Sequence, residues 1–219
     1  MKRICAKEAL RYIKDNSVIG LGGGSTISYL VDYIKESKLN VQIVTPSFNT
    51  EMLCIKQGLN VIPSWSVNKI SVAFDGCDEI DNNLNALKSG GGIHTKEKII
   101  AKMADNYILL VDESKVSPTL TFKNPVVLEI FEESLSYVES EVKKLGGIPS
   151  MRKSSDKDCF TISDHGLLLM NVKFNKVDDI KTLDSNLRNI TGVVDTSLFY
   201  NICTKALVVS ENGVRVIEK

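Results

Sequence analysis

Short apolar runs alternate with amphipathic stretches through the first half of this 219-residue chain, and this alternation restricts the fold more than any other feature. Each run is bounded by glycine, proline or polar residues, which is typical of a buried strand. The runs lie at 18–21, 41–44, 70–74 and 107–111, and the helical patterns at 6–14, 27–34, 49–57 and 97–104. We therefore predict an α/β fold, with a mostly parallel sheet covered by helices on both faces.

The pattern changes near Pro125. The next elements are a strand at 126–130, a helix at 134–145, two strands around a turn at 164–166, a helix at 177–188 and a strand after Gly192. This βαββαβ order predicts a smaller, ferredoxin-like α+β domain. A hairpin with an Asn212-Gly213 turn follows, and we expect it to return to the first sheet. The predicted domains are residues 1–125 with 201–219, and residues 126–200.

The charge and hydropathy of the chain exclude two classes of partner. Lys and Arg together number 27, as do Asp and Glu, so the formal net charge is zero and nothing attracts nucleic acid. The longest apolar stretches, such as 108–111, are too short to span a membrane, and the first residues lack the apolar region of a signal peptide. We expect a cytoplasmic protein without a nucleic-acid or membrane partner.

The five cysteines are odd in number and scattered, and none forms a C-x-x-C pair, which argues against disulfides and against a zinc site. Cys77 alone lies in an acid-rich segment. A nucleophilic thiol needs a base such as histidine beside it, and no obvious partner is present. We prefer the interpretation of Cys77 as a small buried residue.

Two adjacent segments, 74–80 and 88–98, concentrate the polar chemistry of the chain. Glycines such as Gly90 let the backbone approach a ligand, while carboxylates and Lys88 can move protons and stabilise an oxyanion. Glu97 opens a helical pattern, where it is either a carboxylate favoured by the helix dipole or a catalytic base. The neighbouring Lys88 and glycines favour the base. These segments predict an active site for proton transfer on a small anionic metabolite.

A metal site is the first alternative for this acidic segment. The spacing of Asp75 and Asp78 does not fit the ligand positions of an EF-hand loop. His94 and His165 fall in different predicted domains. We expect no metal and no cofactor, and we interpret residues 81–83 as a plain turn.

A second glycine-rich turn, at 20–26, follows a predicted strand and precedes a helix, which is typical of an anion site at a helix N-terminus. It lacks the Gly-Lys-Ser/Thr ending of a P-loop, and Ser25 stands where a dinucleotide fingerprint has its third glycine. The turn suits a phosphate monoester, although it could also be a glycine-rich turn without a ligand. Three basic residues could add positive charge to such a phosphate site: Lys2, Arg3 and Lys115. Taken singly, each is better explained as a surface residue.

Several ordered motifs resemble those of the type A ribose-5-phosphate isomerases, over essentially the whole chain. The family's Asp-Gly-Ala-Asp-Glu block is present as Asp-Gly-Cys-Asp-Glu at 75–79, and its Lys-Gly-Gly-Gly and Glu-Lys elements as 88–91 and 97–98. Its Gly-Thr-Gly-Ser-Thr loop is present as Gly-Gly-Gly-Ser-Thr at 22–26, and its Asp-x-Ser-Lys element at 112–115.

This resemblance implies a Rossmann-like larger domain, a homodimer or homotetramer, and interconversion of D-ribose 5-phosphate and D-ribulose 5-phosphate through a cis-enediolate in the non-oxidative pentose phosphate pathway. It implies that Glu97 is the base, that Lys88 stabilises the enediolate, and that Asp75 or Asp78 opens the sugar ring. The substrate-binding residues carried over are Lys2, Gly23, Gly24, Ser25, Thr26, Asp75, Gly76, Cys77, Asp78, Lys88, Ser89, Gly90, Gly91 and Lys115.

Three positions depart from the family pattern. Gly23 replaces the usual threonine and removes a hydroxyl that could touch the substrate. Ser89 stands where glycine commonly follows the lysine. His94 occupies an apolar position before Glu97, where it either perturbs the base or packs against the loop. These departures bear on the affinity for substrate and on the reaction rate more than on the class of reaction.

Two other functions fit parts of the sequence. One is an isomerase or deaminase for a different sugar phosphate on a related fold. The other is a sugar-phosphate-binding regulator without catalysis, which would normally carry a DNA-binding or partner domain for which we find no spare segment. Binding a phosphate does not require Asp75, Asp78 and Glu97 together, so catalysis is favoured.

Overall fold

The structure is a computed structural model that describes residues 1–154 and 158–218. Its helices in that part of the chain are α1 Lys2–Ala9, α2 Ser25–Ser37, α3 Phe48–Lys56, α4 His94–Met103, α5 Leu135–Lys144 and α6 Ile180–Arg188. Its strands are β1 Ser17–Leu21, β2 Val41–Val44, β3 Asn60–Val61, β4 Val72–Asp75, β5 Glu79–Asp81, β6 Ala86–Leu87, β7 Tyr107–Asp112, β8 Val116–Ser117, β9 Val126–Ile130, β10 Gly147–Met151, β11 Leu168–Phe174, β12 Val193–Thr196, β13 Leu198–Phe199, β14 Lys205–Ser210 and β15 Gly213–Glu218.

A seven-stranded sheet in the order β15-β14-β7-β4-β1-β2-β3 forms the centre of the larger part of the molecule. All neighbours pair in parallel except β14 and β15, the C-terminal hairpin, which joins this sheet beside β7. The predicted α/β fold with a mostly parallel sheet is therefore confirmed.

The strands of this sheet bury side chains on both faces. In β4, Phe74 packs in the same cluster as residues of α1 and α2, whereas Ala73 packs with Ile100 of α4 on the opposite face. Strands covered on both sides need continuous apolar sequence, which explains the unbroken apolar runs. Helix α4, which carries Glu97, is thus pressed directly against the sheet.

A separate small domain contains a four-stranded antiparallel sheet in the order β10-β11-β9-β12. With α5 and α6 inserted after β9 and β11, this is the ferredoxin-like arrangement that we predicted. The exact boundaries at residues 125 and 200 stay a prediction.

Some predicted elements were misplaced. The main strand paired with β11 is not the segment before the 164–166 turn but β10, which begins directly after α5. The chain reverses direction between α5 and β10 at Gly146, whose φ is 79°. Glycine permits this turn, because residues with a side chain rarely adopt that conformation. Helix α1 begins at Lys2 rather than residue 6, since Cys5, Ala6 and Ala9 form its buried face.

A third sheet, in the order β13-β6-β5-β8, was not predicted from the sequence. Its strands have two or three residues each, too few to show a periodic pattern. As expected, the segment after β5 is a turn, in which the Asp81 carboxylate accepts hydrogen bonds from the backbone N–H groups of Asn83 and Asn85. Across the described residues, no helix is both long and apolar enough to cross a membrane.

Gly20 in β1 lets α4 pack closely on the sheet. A Cβ atom at this position would lie 2.6 Å from the Cβ of Ala73 and 2.7 Å from Cγ2 of Ile100. We expect Gly20→Ala to lower the free energy of unfolding by about 1–3 kcal/mol, the usual cost of overpacking a core. Gly76→Ala is the control, because a Cβ there meets nothing within 4 Å. Chemical denaturation of both variants tests this, and equal midpoints would contradict it.

Candidate active site

A pocket of about 510 Å³ lies at the carboxyl end of the parallel strands, the edge at which open α/β sheets bind ligands. The segments that follow β1, β2, β4 and β7 converge there. Most of the predicted site residues line it together with several that were not predicted. The lining residues are Gly23, Gly24, Ser47, Phe48, Asn49, Asp75, Gly76, Cys77, Asp78, Lys88, Gly90, Gly91, Ile93, Glu97, Lys115 and Asp164.

The ammonium group of Lys88 lies between two carboxylates. Its Nζ is 3.0 Å from Oδ2 of Asp75 and 3.3 Å from Oε1 of Glu97, and it donates a hydrogen bond of 2.5 Å to the carbonyl of Gly76. Each of the three side chains is at most 9% exposed. Buried charges are tolerated only when they are paired in this way, so the three groups form one electrostatic unit.

The end of β4 and the turn after β1 hold Asp75 in place. Its Oδ1 accepts a hydrogen bond from the backbone N–H of Gly76 at 2.8 Å, and the Tyr107 hydroxyl lies 3.1 Å from Oδ2 and donates to it. A Cβ at Gly22 would lie 2.1 Å from Cγ of Asp75. The absence of a side chain at position 22 therefore makes room for the carboxylate.

The pKa values of this cluster follow from its burial. Burial raises the pKa of Glu97 to about 8, with a further increase from the charge of Asp75, and Lys88 only partly opposes this. Burial alone would lower the pKa of Lys88, but Asp75 and Glu97 outweigh it and hold that pKa above its usual value. Lys88 thus stays charged, while Glu97 can gain or lose a proton near neutral pH.

The glycine loop after Lys88 is fixed from two sides. Asp78 accepts a hydrogen bond from the backbone N–H of Gly90 at 2.8 Å. Arg152, from the small domain, donates to the carbonyls of Ser89 and Gly90 at 2.6 and 3.0 Å. The Ser89 hydroxyl donates to the carbonyl of Pro125 at 2.6 Å. Ser89 does not line the pocket, and its hydroxyl is used to anchor the loop.

The first glycine turn meets the pocket at the N-terminus of α2. Gly24, with φ of 95°, is the N-cap residue, and Gly23 and Gly24 both line the pocket. Lys2 donates a hydrogen bond of 2.9 Å to the Ser25 hydroxyl. Ser25, Thr26 and Lys2 lie beside the pocket rather than in its wall. A helix N-terminus with a nearby lysine suits an anionic group.

The remaining predicted residues have defined surroundings. Lys115 donates a hydrogen bond of 2.6 Å to the carbonyl of Cys77. Burial raises the pKa of the Cys77 thiol to about 12, which keeps it protonated and agrees with a packing role. His94 is buried, and its Nε2 lies 3.4 Å from the carbonyl oxygen of Asp195. His94 therefore packs against β12.

Five residues that line the pocket were not predicted from the sequence. Ser47, Phe48 and Asn49 follow β2, and the rule that ligands collect at the carboxyl ends of strands could have identified them. Ile93 precedes α4. Asp164 comes from the small domain, and its carboxylate pairs with Lys96 of α4 at 2.8 Å. No local signal in the sequence links Asp164 to the pocket. Among the residues that the structure describes, no three His, Cys, Asp or Glu side chains are grouped as a metal site requires.

The model of one known family matches most of the chain. Residues 42–213 match Ribose 5-phosphate isomerase A, also called phosphoriboisomerase A. A ribose-5-phosphate isomerase A of Pyrococcus abyssi is 36% identical, with 100% of this chain and 98% of the relative covered. The protein of that name from a Synechococcus strain is 36% identical, with 99% and 95% covered.

Solved structures agree with these relatives. A ribose 5-phosphate isomerase A from Methanocaldococcus jannaschii superposes with a TM-score of 0.93 at 34% identity, covering 100% of this chain and 98% of that one. A D-ribose-5-phosphate isomerase in complex with phospho-erythronic acid gives a TM-score of 0.94 at 34% identity, covering 100% and 97%. With the match of the family model, these similarities show that the chain belongs to the ribose 5-phosphate isomerase A family.

Proposed function

We propose that this chain interconverts D-ribose 5-phosphate and D-ribulose 5-phosphate through a cis-enediolate, without a cofactor. The observation that carries the proposal is the buried Lys88 ammonium between Asp75 and Glu97, in a pocket that is also lined by the glycine turn at the N-terminus of α2. The chain's relatives are named for this substrate, and one similar enzyme was solved with phospho-erythronic acid. That ligand is a phosphorylated acid whose carboxylate holds two oxygens side by side, as an enediolate does.

Glu97 removes the proton from C2 of the open-chain aldose and returns it to C1. Its pKa of about 8 suits this role, because a base is most effective when its pKa lies near the working pH. The proton that leaves C2 stays on the carboxyl until it is delivered to C1. The same carboxyl serves both directions, so a single side chain is sufficient for the transfer.

Lys88 stabilises the negative charge that develops on the enediolate oxygens. The ammonium is already held by the Asp75 carboxylate and the Gly76 carbonyl, so little reorganisation is needed when the charge appears. Lys88 and Glu97 are in contact, and the reacting carbons would therefore lie next to both groups.

The two aspartates have different surroundings. Asp75 shares the proton-transfer cluster with Lys88 and Glu97, whereas Asp78 bonds the backbone of the glycine loop. These contacts favour Asp75 for opening the ring and exchanging hydroxyl protons, and Asp78 for holding the loop against the sugar.

The glycine turn at 23–26 would bind the phosphate, with charge from Lys115 and Lys2. Gly23 and Gly24 line the pocket beside the N-terminus of α2, and Lys115 lines the same pocket. Phosphate binding supplies energy that holds the carbons in place for the proton transfer. We also propose that the protein acts in the cytoplasm, in the non-oxidative pentose phosphate pathway, and as a homodimer or homotetramer.

Glu97→Gln tests the base. The amide keeps the size of the side chain but cannot accept the C2 proton, so we expect kcat to fall at least about a hundredfold. The measurement is conversion of ribose 5-phosphate to ribulose 5-phosphate by variant and wild type, both treated with EDTA, which should not slow the wild type. Thermal unfolding of the variant is the control for its fold, and an active variant would remove Glu97 as the base.

The pH dependence follows from the raised pKa of Glu97. Because the base must be deprotonated, kcat/KM should rise about tenfold per pH unit below pH 8 and level off above it. Asp75→Asn removes the negative charge that raises this pKa, so the residual activity should level off at a lower pH. Unfolding curves at each pH control for stability, and a flat profile from pH 6 to 9 would contradict the assignment.

The adjacent glycines Gly22 and Gly23 provide a matched pair of alanine substitutions. Gly22→Ala should lower kcat/KM about a hundredfold, because its Cβ displaces the Asp75 carboxylate and a small misplacement is costly. A Cβ at Gly23 would lie 3.5 Å from Oγ of Ser47, which is an ordinary van der Waals contact. The kcat/KM of Gly23→Ala should therefore stay within a fewfold of the wild-type value. Equal activity of the two variants would contradict the role of Gly22.

A further inference from the structure

The Tyr107 hydroxyl is a polar group inside an apolar cluster. Tyr107 begins β7 and is only 1% exposed. Its side chain packs in the same cluster as Ala73 and Ile100, and its ring stacks on that of Phe199, with the ring centroids 6.0 Å apart. A phenylalanine would fill the same space, and burying a hydroxyl without a partner is costly. Packing alone therefore does not explain why this residue carries a hydroxyl.

The partner of the hydroxyl is the Asp75 carboxylate, to which it donates at 3.1 Å. Tyr107 lies opposite Ala73 on the neighbouring parallel strand. Ala73 and Asp75 are two positions apart in β4 and so point to the same face of the sheet, along which the Tyr107 ring reaches the carboxylate. Burial raises the pKa of Tyr107 well above its usual value. The hydroxyl thus stays protonated and remains a donor.

Three donors orient the Asp75 carboxylate. The backbone N–H of Gly76 donates to Oδ1 at 2.8 Å, while Oδ2 faces the Tyr107 hydroxyl and the Lys88 ammonium, the latter at 3.0 Å. Gly76 and Lys88 are among the described residues that line the pocket, and Tyr107 is not. Tyr107 can therefore act on a bound substrate through Asp75 rather than directly.

We propose that Tyr107 is a positioning residue, which holds the Asp75 carboxylate in the orientation that opening of the sugar ring requires. This inference rests on the proposed isomerase function. With O5 phosphorylated, the aldose closes through O4 into a five-membered ring. Opening breaks the C1–O4 bond. The proton of the O1 hydroxyl passes to Asp75 as the C1=O1 double bond forms, and Asp75 gives that proton to O4, which becomes a hydroxyl. The carboxylate is regenerated and no other reactant is consumed.

Ring opening depends on this orientation more than the later steps do. Asp75 must be aligned with two oxygens of the substrate, and proton transfer is sensitive to such alignment. Without the hydroxyl, Oδ2 keeps its contact with Lys88 but loses the donor that fixes the plane of the carboxylate. Lys88 keeps its contacts with Glu97 and with the carbonyl of Gly76. Loss of the hydroxyl should therefore impair ring opening and leave stabilisation of the enediolate in place.

Tyr107→Phe separates these two steps through two measurements. The kcat/KM for ribose 5-phosphate, which is cyclic, should fall at least about tenfold, because a proton-transfer group is no longer aligned. The dissociation constant of phospho-erythronic acid, which has no ring to open, should stay within about twofold of the wild-type value, because the groups that face the enediolate keep their places. Retained binding of this acid also shows that the variant is folded.

Tyr33→Phe is the matched control. It removes a hydroxyl from a partly buried tyrosine that packs against the core on the opposite face of the sheet. Both the kcat/KM and the dissociation constant of this variant should equal those of the wild type.

Four results would overturn the inference. The first is an unchanged kcat/KM in Tyr107→Phe. The second is an equal loss of kcat/KM and of affinity for phospho-erythronic acid, because Tyr107 would then support the whole cluster rather than ring opening. The third is an equal loss of kcat/KM in Tyr33→Phe. The fourth is a wild type that does not convert ribose 5-phosphate, which would overturn the proposed function and this role with it, and which is seen before any variant is compared.

Discussion

The structure of the site depends on one buried cation. Lys88 lies between Asp75 and Glu97, and burial of its ammonium group is tolerable only because both carboxylates and a backbone carbonyl satisfy it. Removing a partner from such a cluster typically costs about 3–5 kcal/mol, because an uncompensated charge remains buried. The same burial raises the pKa of Glu97 to about 8, which is the property that its proposed role as the base requires.

The surrounding fold keeps this cluster rigid. Gly22 leaves room for the Asp75 carboxylate, and Tyr107 bonds it from β7. From the other side, Arg152 of the small domain holds the carbonyls of the glycine loop. Groups from both domains therefore support the residues that the proposed mechanism places close to the reacting carbons. Precise placement of this kind accounts for much of the rate enhancement in proton-transfer enzymes, because the bound geometry replaces a costly search for alignment.

The sequence by itself determined the parallel sheet, the ferredoxin-like order of the small domain and the segments that carry the site, because apolar periodicity and glycine-rich turns are local properties. Its family motifs also indicated Glu97, Lys88, Asp75 and Asp78. Only the tertiary structure decided that Asp164 and Arg152 reach the pocket region, that β10 pairs with β11, and that short strands form a third sheet. These contacts join residues far apart in the chain, and the burial that sets the pKa of Glu97 exists only once those residues have packed together.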